Sequence, residues 1–257
     1  MASILNQSTV SGHGDDVSHY QHGIPGIPTD GKVVLLKNSK LGSEAYLVGT
    51  NHISKHSAET VKKVINYVRP DVVAVELCAG RATDMNHNRE YVTLFDLLCR
   101  SMSAPRGLRM KFGRFAMGFS QRQMHADDKI PGLEFKVAVE EASRVGARCS
   151  LIDQDVNLIL EKVAKASSWK VIWDSLRTDG YQDTEYTRSY VKKVNILSKK
   201  HFPEFFKVLT EDRDKFMFEN LRTFEKKKLW QWLGWLTWME SSYCGNMQRR
   251  VTISNLA

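Results

Sequence analysis

The apolar positions that follow the first thirty residues predict a strand hairpin. Val33–Leu36 and Ala45–Val48 are short apolar runs of strand length. The residues between them, 38–43, are rich in Asn, Ser and Gly, which are typical of a turn. Two antiparallel strands joined by a short loop are therefore expected here.

A helix and a buried strand are predicted next. Apolar residues recur at the i, i+3, i+4 and i+7 spacing of an amphipathic helix, namely Val61, Val64, Ile65 and Val68. Ser57 is its candidate N-cap and Pro70 ends it. Val72–Val75 is continuously apolar, which is typical of a strand buried on both faces. The segment Ala45–Leu77 is thus predicted to be a βαβ unit with a parallel pair of strands.

The remainder of the chain is predicted to be mostly helical around one more strand. Phe135–Val145 has a helical pattern that Gly146 ends, and Cys149–Ile152 has the pattern of a short strand. Asp155 is placed to cap the helix that follows, and helical patterns continue to about residue 224. We therefore predict an α/β fold, with a central sheet that contains the parallel βαβ unit, flanking helices and a mostly helical second half.

Composition changes this picture little. The 257 residues are 42% apolar and 26% charged, as in an ordinary soluble globular domain. The four cysteines lack a C-x-x-C spacing, which argues against a zinc knuckle and indicates reduced thiols of an intracellular protein. Residues 1–30 are polar, without an apolar run or an Arg, so a disordered leader is expected rather than a secretory signal or a mitochondrial presequence.

The net charge of +8 is concentrated in two segments, residues 100–129 and 221–257. No nucleic-acid-binding motif accompanies them, so nucleic acid is not an expected partner. For residues 100–130 two interpretations stand. One is an amphipathic helix packed on the domain by Phe and Met, and the other is a mobile lid or a membrane-surface element.

Polar side chains stand where three predicted strands end. His52 closes the run Gly49–His52 after one strand, Glu76 ends the next, and Asp153 follows a later one. The carboxyl ends of parallel strands meet at one edge of an open α/β sheet, where ligands bind. His and carboxylates suit Mn²⁺, Co²⁺ or Zn²⁺, and such an ion would activate a bound water. Without a metal, His52 and Glu76 could pair as an acid–base couple.

Each of these residues also has a structural interpretation. His52 can hold its loop by a hydrogen bond to backbone, and Asp155 can serve only as a helix cap. Glu76 can form an ion pair with Arg81, because a buried carboxylate is costly unless it is paired. Glu134, near the start of a helix, can favour the helix dipole.

Five blocks in this order resemble the TraB/PrgY/GumN/Tiki family, in detail its eukaryotic, plant-like branch. They are Tyr46–His52, Arg69–Cys78 with Arg81, Gly132–Phe135 with Glu140 and Ala142, Leu151–Val156, and Phe202-Pro203 through Glu211–Asp214. Tiki proteins are membrane-anchored, metal-dependent proteases, and eukaryotic TraB-domain proteins are implicated in mitochondrial and endoplasmic-reticulum membrane biology.

The resemblance implies roles for particular residues of this chain. His52 would be a metal ligand or catalytic His, with Glu76, Glu134 and Asp153 as acidic site residues. Arg81 and Arg213 would orient or neutralise these acids. The implied cofactor is a divalent metal (Mn, Co or Zn), bound by His52, Glu76 and Asp153, and the implied substrate is a peptide.

The end of the chain departs from the family pattern. The family has an apolar strand and a second G-x-x-H motif after the Arg213 helix, whereas this chain has no His after His201. We therefore predict a leader at 1–30, a TraB domain at 31–223 and a divergent, basic, Trp-rich tail at 224–257, as in a truncated or alternatively spliced product. The uncharged run Leu229–Met239 is too short for the roughly 20 residues of a membrane span. It could lie at a membrane interface or form a poorly packed tail.

Two functions follow as expectations. The first is a regulatory or membrane-associated module of organelle surfaces, at the cytosolic face of the mitochondrial outer membrane or the endoplasmic reticulum, with a membrane or membrane proteins as partner. The alternative is a Tiki-like, metal-dependent peptidase, which the missing second G-x-x-H weakens.

Overall fold

The computed structural model describes residues 21–38, 42–51, 54–86, 93–103, 107–126, 132–166, 188–224 and 229–235. The elements in chain order are β1 (Val33–Asn38), β2 (Ser43–Thr50), α1 (Lys55–Val68), β3 (Val72–Val75), α2 (Ala79–Asn86), α3 (Leu94–Met102), α4 (Leu108–Ala126), α5 (Leu133–Val145), β4 (Arg148–Leu151), α6 (Val156–Ala166), α7 (Arg188–His201), α8 (Pro203–Phe206), a π-helical turn (Lys207–Glu211), α9 (Asp212–Arg222) and β5 (Leu229–Trp235). The predicted α/β fold, with helices dominating the second half, is confirmed.

The five strands form one sheet in the order β1-β2-β5-β3-β4. The predicted hairpin is confirmed, because β1 pairs with β2 antiparallel from Val33↔Val48 to Asn38↔Ser43. Gly42 in the turn has φ +59°, a conformation that costs glycine little because it has no Cβ. The strands β2, β5, β3 and β4 all run parallel to one another.

The two strands of the predicted βαβ unit are parallel, as expected, but they are not neighbours in the sheet. β2 and β3 are parallel and joined through α1, yet β5 lies between them and pairs with both. Ala45 and Val72 both take Trp230 as their partner in register. The inserted strand comes from the far end of the chain, so the local pattern around Ala45–Leu77 could not reveal it.

The strand β5 lies inside the segment 224–257 that the sequence analysis set apart as a divergent tail. Leu229–Trp235 is neither an interfacial segment nor a poorly packed tail, because its backbone pairs with a strand on each side. An uncharged run is what a strand in the middle of a parallel sheet requires. The three lysines 226–228 directly before it obscured that pattern, and residues 236–257 lie outside the described ranges.

α1 and α5 pack together over one face of the sheet. The buried cluster there joins both helices to strand residues and consists mainly of Val61, Val64, Ile65, Phe135, Ala138, Ala142, Tyr46, Val48, Val73 and Val75. Glu141 links the two helices across this face: it accepts from Asn66 Nδ2 at 3.1 Å and lies 3.3 Å from Lys62 Nζ. The intervening strand residues, such as Val72 and Ala74, are equally buried on the opposite face, as strand periodicity requires.

Four helix boundaries follow local chemistry. α1 begins after Ser54, not Ser57 as predicted, and Ser57 Oγ instead accepts from the Asn51 backbone N–H at 3.0 Å. It ends at Val68, two residues before Pro70, as predicted. Gly146 ends α5 with φ +77°, and Asp155 Oδ1 caps α6 by accepting from Asn157 N at 2.7 Å.

Residues 21–30, which were predicted to belong to the leader, contact the folded domain. Ile24 is 5% exposed and is part of the cluster under α1. Its backbone N–H donates to His22 Nδ1 at 3.1 Å, which fixes the chain before β1. Residues 1–20 lie outside the described ranges. Within the described chain, no helix is long and apolar enough to cross a membrane.

Candidate functional site

The carboxyl ends of β3 and β4 bring two predicted acids together. Val75 of β3 pairs with Leu151 of β4, and the pairing continues past both strands. Ile152 N donates to Val75 O at 3.1 Å and Asp153 N to Leu77 O at 3.3 Å. Because the two strands end side by side, Glu76 and Asp153 leave them at the same level, as the topology predicted.

Arg213 of α9 holds both of these carboxylates. Its Nη2 donates to Glu76 Oε1 at 2.7 Å and to Asp153 Oδ2 at 2.8 Å. Its Nε donates to Asp153 Oδ1 at 3.1 Å, so the guanidinium grips Asp153 in the two-point geometry that favours Arg–carboxylate pairs. The side chains are buried, with exposed fractions of 5% for Glu76, 0% for Asp153 and 18% for Arg213.

The opposite charges at this site stabilise each other's ionised forms. Burial by itself would lower the pKa of Arg213, but the negative charges of Glu76 and Asp153 and the hydrogen bonds of Asp153 outweigh it, so the pKa is raised. The guanidinium therefore stays protonated. Asp214 adds to the same effect and is itself 3% exposed. The sequence analysis missed Asp214 as a site residue, although its place beside Arg213 in a family-like block was the available signal.

Arg81 is the second cation of the site. One interpretation of Glu76 paired it with Arg81, and the family resemblance implied that Arg81 orients or neutralises the acids of the site. In the structure Arg81 Nη1 lies 3.6 Å from Asp153 Oδ2. Its guanidinium also lies over the Phe135 ring, 5.9 Å from the centroid. Glu76 has a different cation because Arg213 approaches it from a helix about 137 residues further along the chain. That approach is a tertiary contact, which local spacing does not encode.

An irregular turn of helix positions Arg213. The π-helical turn Lys207–Glu211 joins α8 to α9 directly before it, and Arg213 Nη1 donates to Leu209 O at 3.3 Å. Such π-type insertions are frequent at functional sites. Asn220, two turns further along α9, donates to Ile152 O at 2.9 Å and fastens the helix to the end of β4. α9 is thus held at both the carboxylate cluster and the strand that carries it.

Of the remaining predicted site residues, the structure describes Glu134 but not His52. Glu134 lies in the first turn of α5, 1% exposed, beside the Phe135 that Arg81 covers. His52 lies outside the described residues. The strand that precedes it ends at Thr50, and β5 separates this strand from β3. Strand neighbours are spaced by about 4.8 Å, so the ends of β2 and β3 are roughly 10 Å apart.

The described part of the site does not fit a divalent metal ion. Among the residues that the structure describes, no group of three or more His, Cys, Asp or Glu side chains is placed to hold one. Three carboxylate oxygens of Glu76 and Asp153 already face the Arg213 guanidinium, a cation in the place where a metal would bind. The predicted ligand set that includes His52 stays a prediction.

The position of the missing second motif is now defined in the sheet. Gly49 of β2 lies in register with Gly234 of β5. The residue three positions after Gly49 is His52, and the residue three positions after Gly234 is Thr237. Both lie outside the described ranges. β5 thus supplies an apolar strand of the kind that the resemblance implies after the Arg213 helix, and the position that corresponds to His52 holds Thr237 in the sequence.

The fold and site define an α/β domain with a buried arginine–carboxylate cluster at the carboxyl edge of its sheet. Residues 34–96 match the model of the TraB/PrgY/gumN family. An uncharacterized protein of Methanocaldococcus jannaschii is 32% identical over 197 residues, which are 72% of this chain and 48% of that protein. The TraB domain-containing proteins of Bos taurus and Homo sapiens are 28% and 27% identical, and each match covers 70% of this chain and 52% of theirs.

These findings confirm the family predicted from the five blocks: the chain belongs to the TraB/PrgY/gumN family. The chain spans about half the length of the curated relatives it matches. The activity, substrates and partners of a whole family member are therefore matters for proposal.

Proposed function

We propose that this chain is a regulatory TraB-family domain of organelle membrane surfaces, in which the buried polar cluster has a structural role. One observation carries the proposal: Arg213 binds both Glu76 and Asp153 at 2.7–3.1 Å, and the two carboxylates are buried. A general base must reach the proton it removes, and a metal ligand must present a free oxygen. Three of the four carboxylate oxygens of Glu76 and Asp153 face the guanidinium, which disfavours both roles for these oxygens.

A structural role is consistent with the free-energy cost of burying these charges. Buried charges are tolerated when they are paired and hydrogen-bonded, and removal of one partner is strongly destabilising. Arg213 belongs to the helical second half, and its acids belong to the sheet edge. The cluster therefore fastens the two parts of the domain to each other, which a binding module needs as much as an enzyme does.

The proposed location is the cytosolic face of the mitochondrial outer membrane or the endoplasmic reticulum, with the membrane or a membrane protein as partner. It can be tested by fractionating eukaryotic cells that produce the tagged full chain. We expect the chain to sediment with the membranes of these organelles and to do so equally after Glu76→Gln. Recovery of the chain only in the soluble fraction would overturn the proposal.

A metal-dependent, Tiki-like peptidase is the second candidate, and one observation favours it. Glu76 and Asp153 converge at the carboxyl edge of parallel strands, where open α/β sheets bind their ligands. Under this alternative, His52 would complete the site, and Arg81 and Glu134 would act on the substrate. The carboxylates would then have to move away from Arg213 when the metal binds.

Peptide hydrolysis in the presence of Mn²⁺, Co²⁺ or Zn²⁺ separates the two candidates. The matched control is Glu140→Gln, which changes an exposed acid of α5, 62% exposed, in place of the buried Glu76. Cleavage that survives Glu140→Gln and is lost in both Glu76→Gln and His52→Ala would support the peptidase. Absence of cleavage by the folded chain with each of the three ions is the result expected for a non-catalytic module.

A further inference from the structure

The helix α3 turns large apolar side chains toward solvent. Leu94, Phe95, Leu98 and Met102, called here the α3 arc, are 49%, 72%, 49% and 53% exposed. At 3.6 residues per turn these four positions fall within an arc of about 100° on one side of the helix. The buried Leu97 and Ser101 lie on the flank next to Leu94, about 60° and about 20° from it around the helix. An amphipathic helix ordinarily buries its apolar face, whereas most of the large apolar side chains of α3 are exposed.

The outward orientation of the α3 arc is set by the packing of its neighbouring flank on α4. Leu97 meets Gly118 of α4 so closely that a Cβ at Gly118 would collide with Leu97 Cδ1. Ser101 Oγ donates to Leu97 O at 2.6 Å, and Thr93 and Asp96 form a capping box that fixes the start of α3. These two arrangements lie within α3 and define the helix itself. Rotation of the arc into the domain would break the contact between Leu97 and Gly118.

α4 packs against α3 and adds a further exposed apolar residue and positive charge. Leu108, at the start of α4, is 73% exposed, and the exposed Arg109 follows it. The described residues of the two helices, 93–103 and 107–126, contain five basic side chains, Arg100, Arg109, Lys111, Arg114 and Arg122, and one acidic side chain, Asp96. That acid is occupied in the capping box with Thr93. The hairpin thus combines exposed apolar side chains with a net positive charge.

This combination matches the requirements of an anionic membrane surface. Amphipathic helices lie in the interface with their apolar side chains at the acyl boundary and basic side chains among the headgroups. Each basic residue near an anionic leaflet adds to the attraction. Exposed apolar patches on soluble domains mark protein or membrane interaction sites, and the marked excess of basic over acidic side chains selects the lipid.

We propose that the α3 arc, with Leu108 and the exposed Arg109 beside it, docks on the surface of an anionic lipid bilayer, to which the net positive charge of the two helices attracts the domain. The inference rests on the proposed membrane function and deepens it by naming the surface and the class of lipid. In the described residues of 100–130, α4 packs on the domain through side chains such as Met110, 5% exposed, and presents Leu108 outward. The membrane-surface interpretation of this segment is part of the present proposal.

Vesicle flotation of the full chain tests the docking. The probes are vesicles of phosphatidylcholine alone and vesicles with about a third phosphatidylserine. We expect the chain to float with the anionic vesicles and not with the neutral ones, and to dissociate as salt is raised. Phe95→Ser with Leu98→Ser should weaken binding on the order of tenfold or more, because both side chains lose their apolar burial in the lipid.

The matched control is Ile196→Ser. Ile196 is 59% exposed on α7, a helix that also carries exposed lysines, Lys192, Lys193, Lys199 and Lys200, so it places the same change in a similar basic setting. We expect binding within about twofold of the wild type, since Ile196 lies outside the α3 arc. Equal loss in Ile196→Ser and in the α3 double variant would overturn the assignment of the surface.

A fluorophore on Cys99 provides a second readout on the wild-type surface. Cys99 is exposed on α3, Cys78 is buried, and burial raises the pKa of Cys149, which makes its thiol less reactive at neutral pH. In a Cys244→Ser chain the label should therefore fall on Cys99. A blue shift of its emission with anionic vesicles is expected, and an unchanged spectrum would overturn the docking.

The failure of this inference is distinguishable from the failure of the proposed function. A chain that sediments with cell membranes but does not float with pure lipid would retain the proposed function and lose the lipid surface, which would point to a membrane protein as partner. Self-association of the chain that is abolished by the α3 double variant, without flotation, would assign the surface to a second copy. Both results overturn lipid docking.

Discussion

Arg213 and Asp153 are joined by two hydrogen bonds, 2.8 Å and 3.1 Å long, across 60 residues of sequence. Asp153 follows the edge strand of the sheet, and Arg213 begins the last helix before the central strand β5. The pair therefore sets the position of the segment that brings the chain back into the middle of the sheet. A charge network of this kind organises the fold, because its carboxylates are buried and would be costly to leave unpaired.

Arg213→Met is predicted to destabilise the domain severely. The substitution leaves Glu76 and Asp153 buried beside an apolar side chain, and an uncompensated buried charge costs roughly 3–5 kcal/mol. Arg213→Lys should recover only part of the loss, since an ammonium lacks the planar fork that holds both carboxylates. Urea denaturation followed by circular dichroism measures the free energy of unfolding in each case.

The control for this prediction is Lys165→Met. Lys165 pairs with Glu161 at 3.1 Å on the surface of α6, and its side chain is 76% exposed. Such i,i+4 pairs contribute about 0.3–0.5 kcal/mol. Comparable losses for Arg213→Met and Lys165→Met would contradict the structural role given to the cluster.

A second prediction concerns the packing of α3 on α4. Gly118→Ala should destabilise the domain, because its new methyl group meets Leu97 Cδ1 and overpacking of this kind costs about 1–3 kcal/mol. Gly113→Ala is the control in the same helix: nothing lies near its added Cβ, so the change should stabilise α4 by up to about 1 kcal/mol through helix propensity.

A double-mutant cycle checks the cause of the Gly118 effect. In a Leu97→Ala background the collision is absent, so Gly118→Ala should be neutral or stabilising. The free energies of unfolding of the four proteins give the coupling between the two positions. Strict additivity would show that Leu97 and Gly118 do not touch and would leave the orientation of α3 without its main support.

The pH dependence of stability should report on Glu141. A hydrogen bond from Arg144 Nε at 2.6 Å lowers the pKa of Glu141 below its ordinary value of 4.5, and the hydrogen bond from Asn66 acts in the same direction. A carboxylate with a lowered pKa stabilises the folded state above its unfolded-state pKa, and this contribution is lost as the pH falls through the folded-state pKa.

We therefore expect the difference in unfolding free energy between wild type and Glu141→Gln to be constant from about pH 7 to about pH 5 and to shrink below that range. Urea titrations across the range supply the data. In an Arg144→Gln background the dependence should become weaker, as the largest cause of the shift is removed. A difference that grows on acidification would have the wrong sign for this account.

The sequence predicted the elements whose signals are local. The period of Val61, Val64 and Ile65 defined α1, and Gly146 defined the end of α5, because helical spacing and a left-handed cap are written in neighbouring residues. Convergence of Glu76 and Asp153 was also predictable, since parallel strands end at one edge. Local spacing did not identify the cation at Glu76, because Arg213 reaches it through tertiary packing. The family resemblance was the signal that pointed to Arg213.

The position of β5 in the sheet is a second feature that local sequence could not predict. An apolar run of strand length was visible at Leu229, but nothing local specifies that it enters between β2 and β3. The wrong N-cap of α1 has a similar cause: Ser57 Oγ is used by the Asn51 backbone in the loop after β2, a competing contact that spacing does not show. The sequence therefore did not predict long-range strand pairing or competition between contacts for the same side chain.

The measurement that tests the central claim most directly is calorimetric titration of the full chain with Mn²⁺, Co²⁺ and Zn²⁺. If Arg213 is the cation that neutralises Glu76 and Asp153, no stoichiometric binding to these carboxylates should be seen, and Asp153→Asn should leave the titration unchanged. Stoichiometric binding by the folded wild type that is lost in both Asp153→Asn and His52→Ala, with Glu140→Gln unaffected, would contradict the structural account and establish a metal centre at this edge of the sheet.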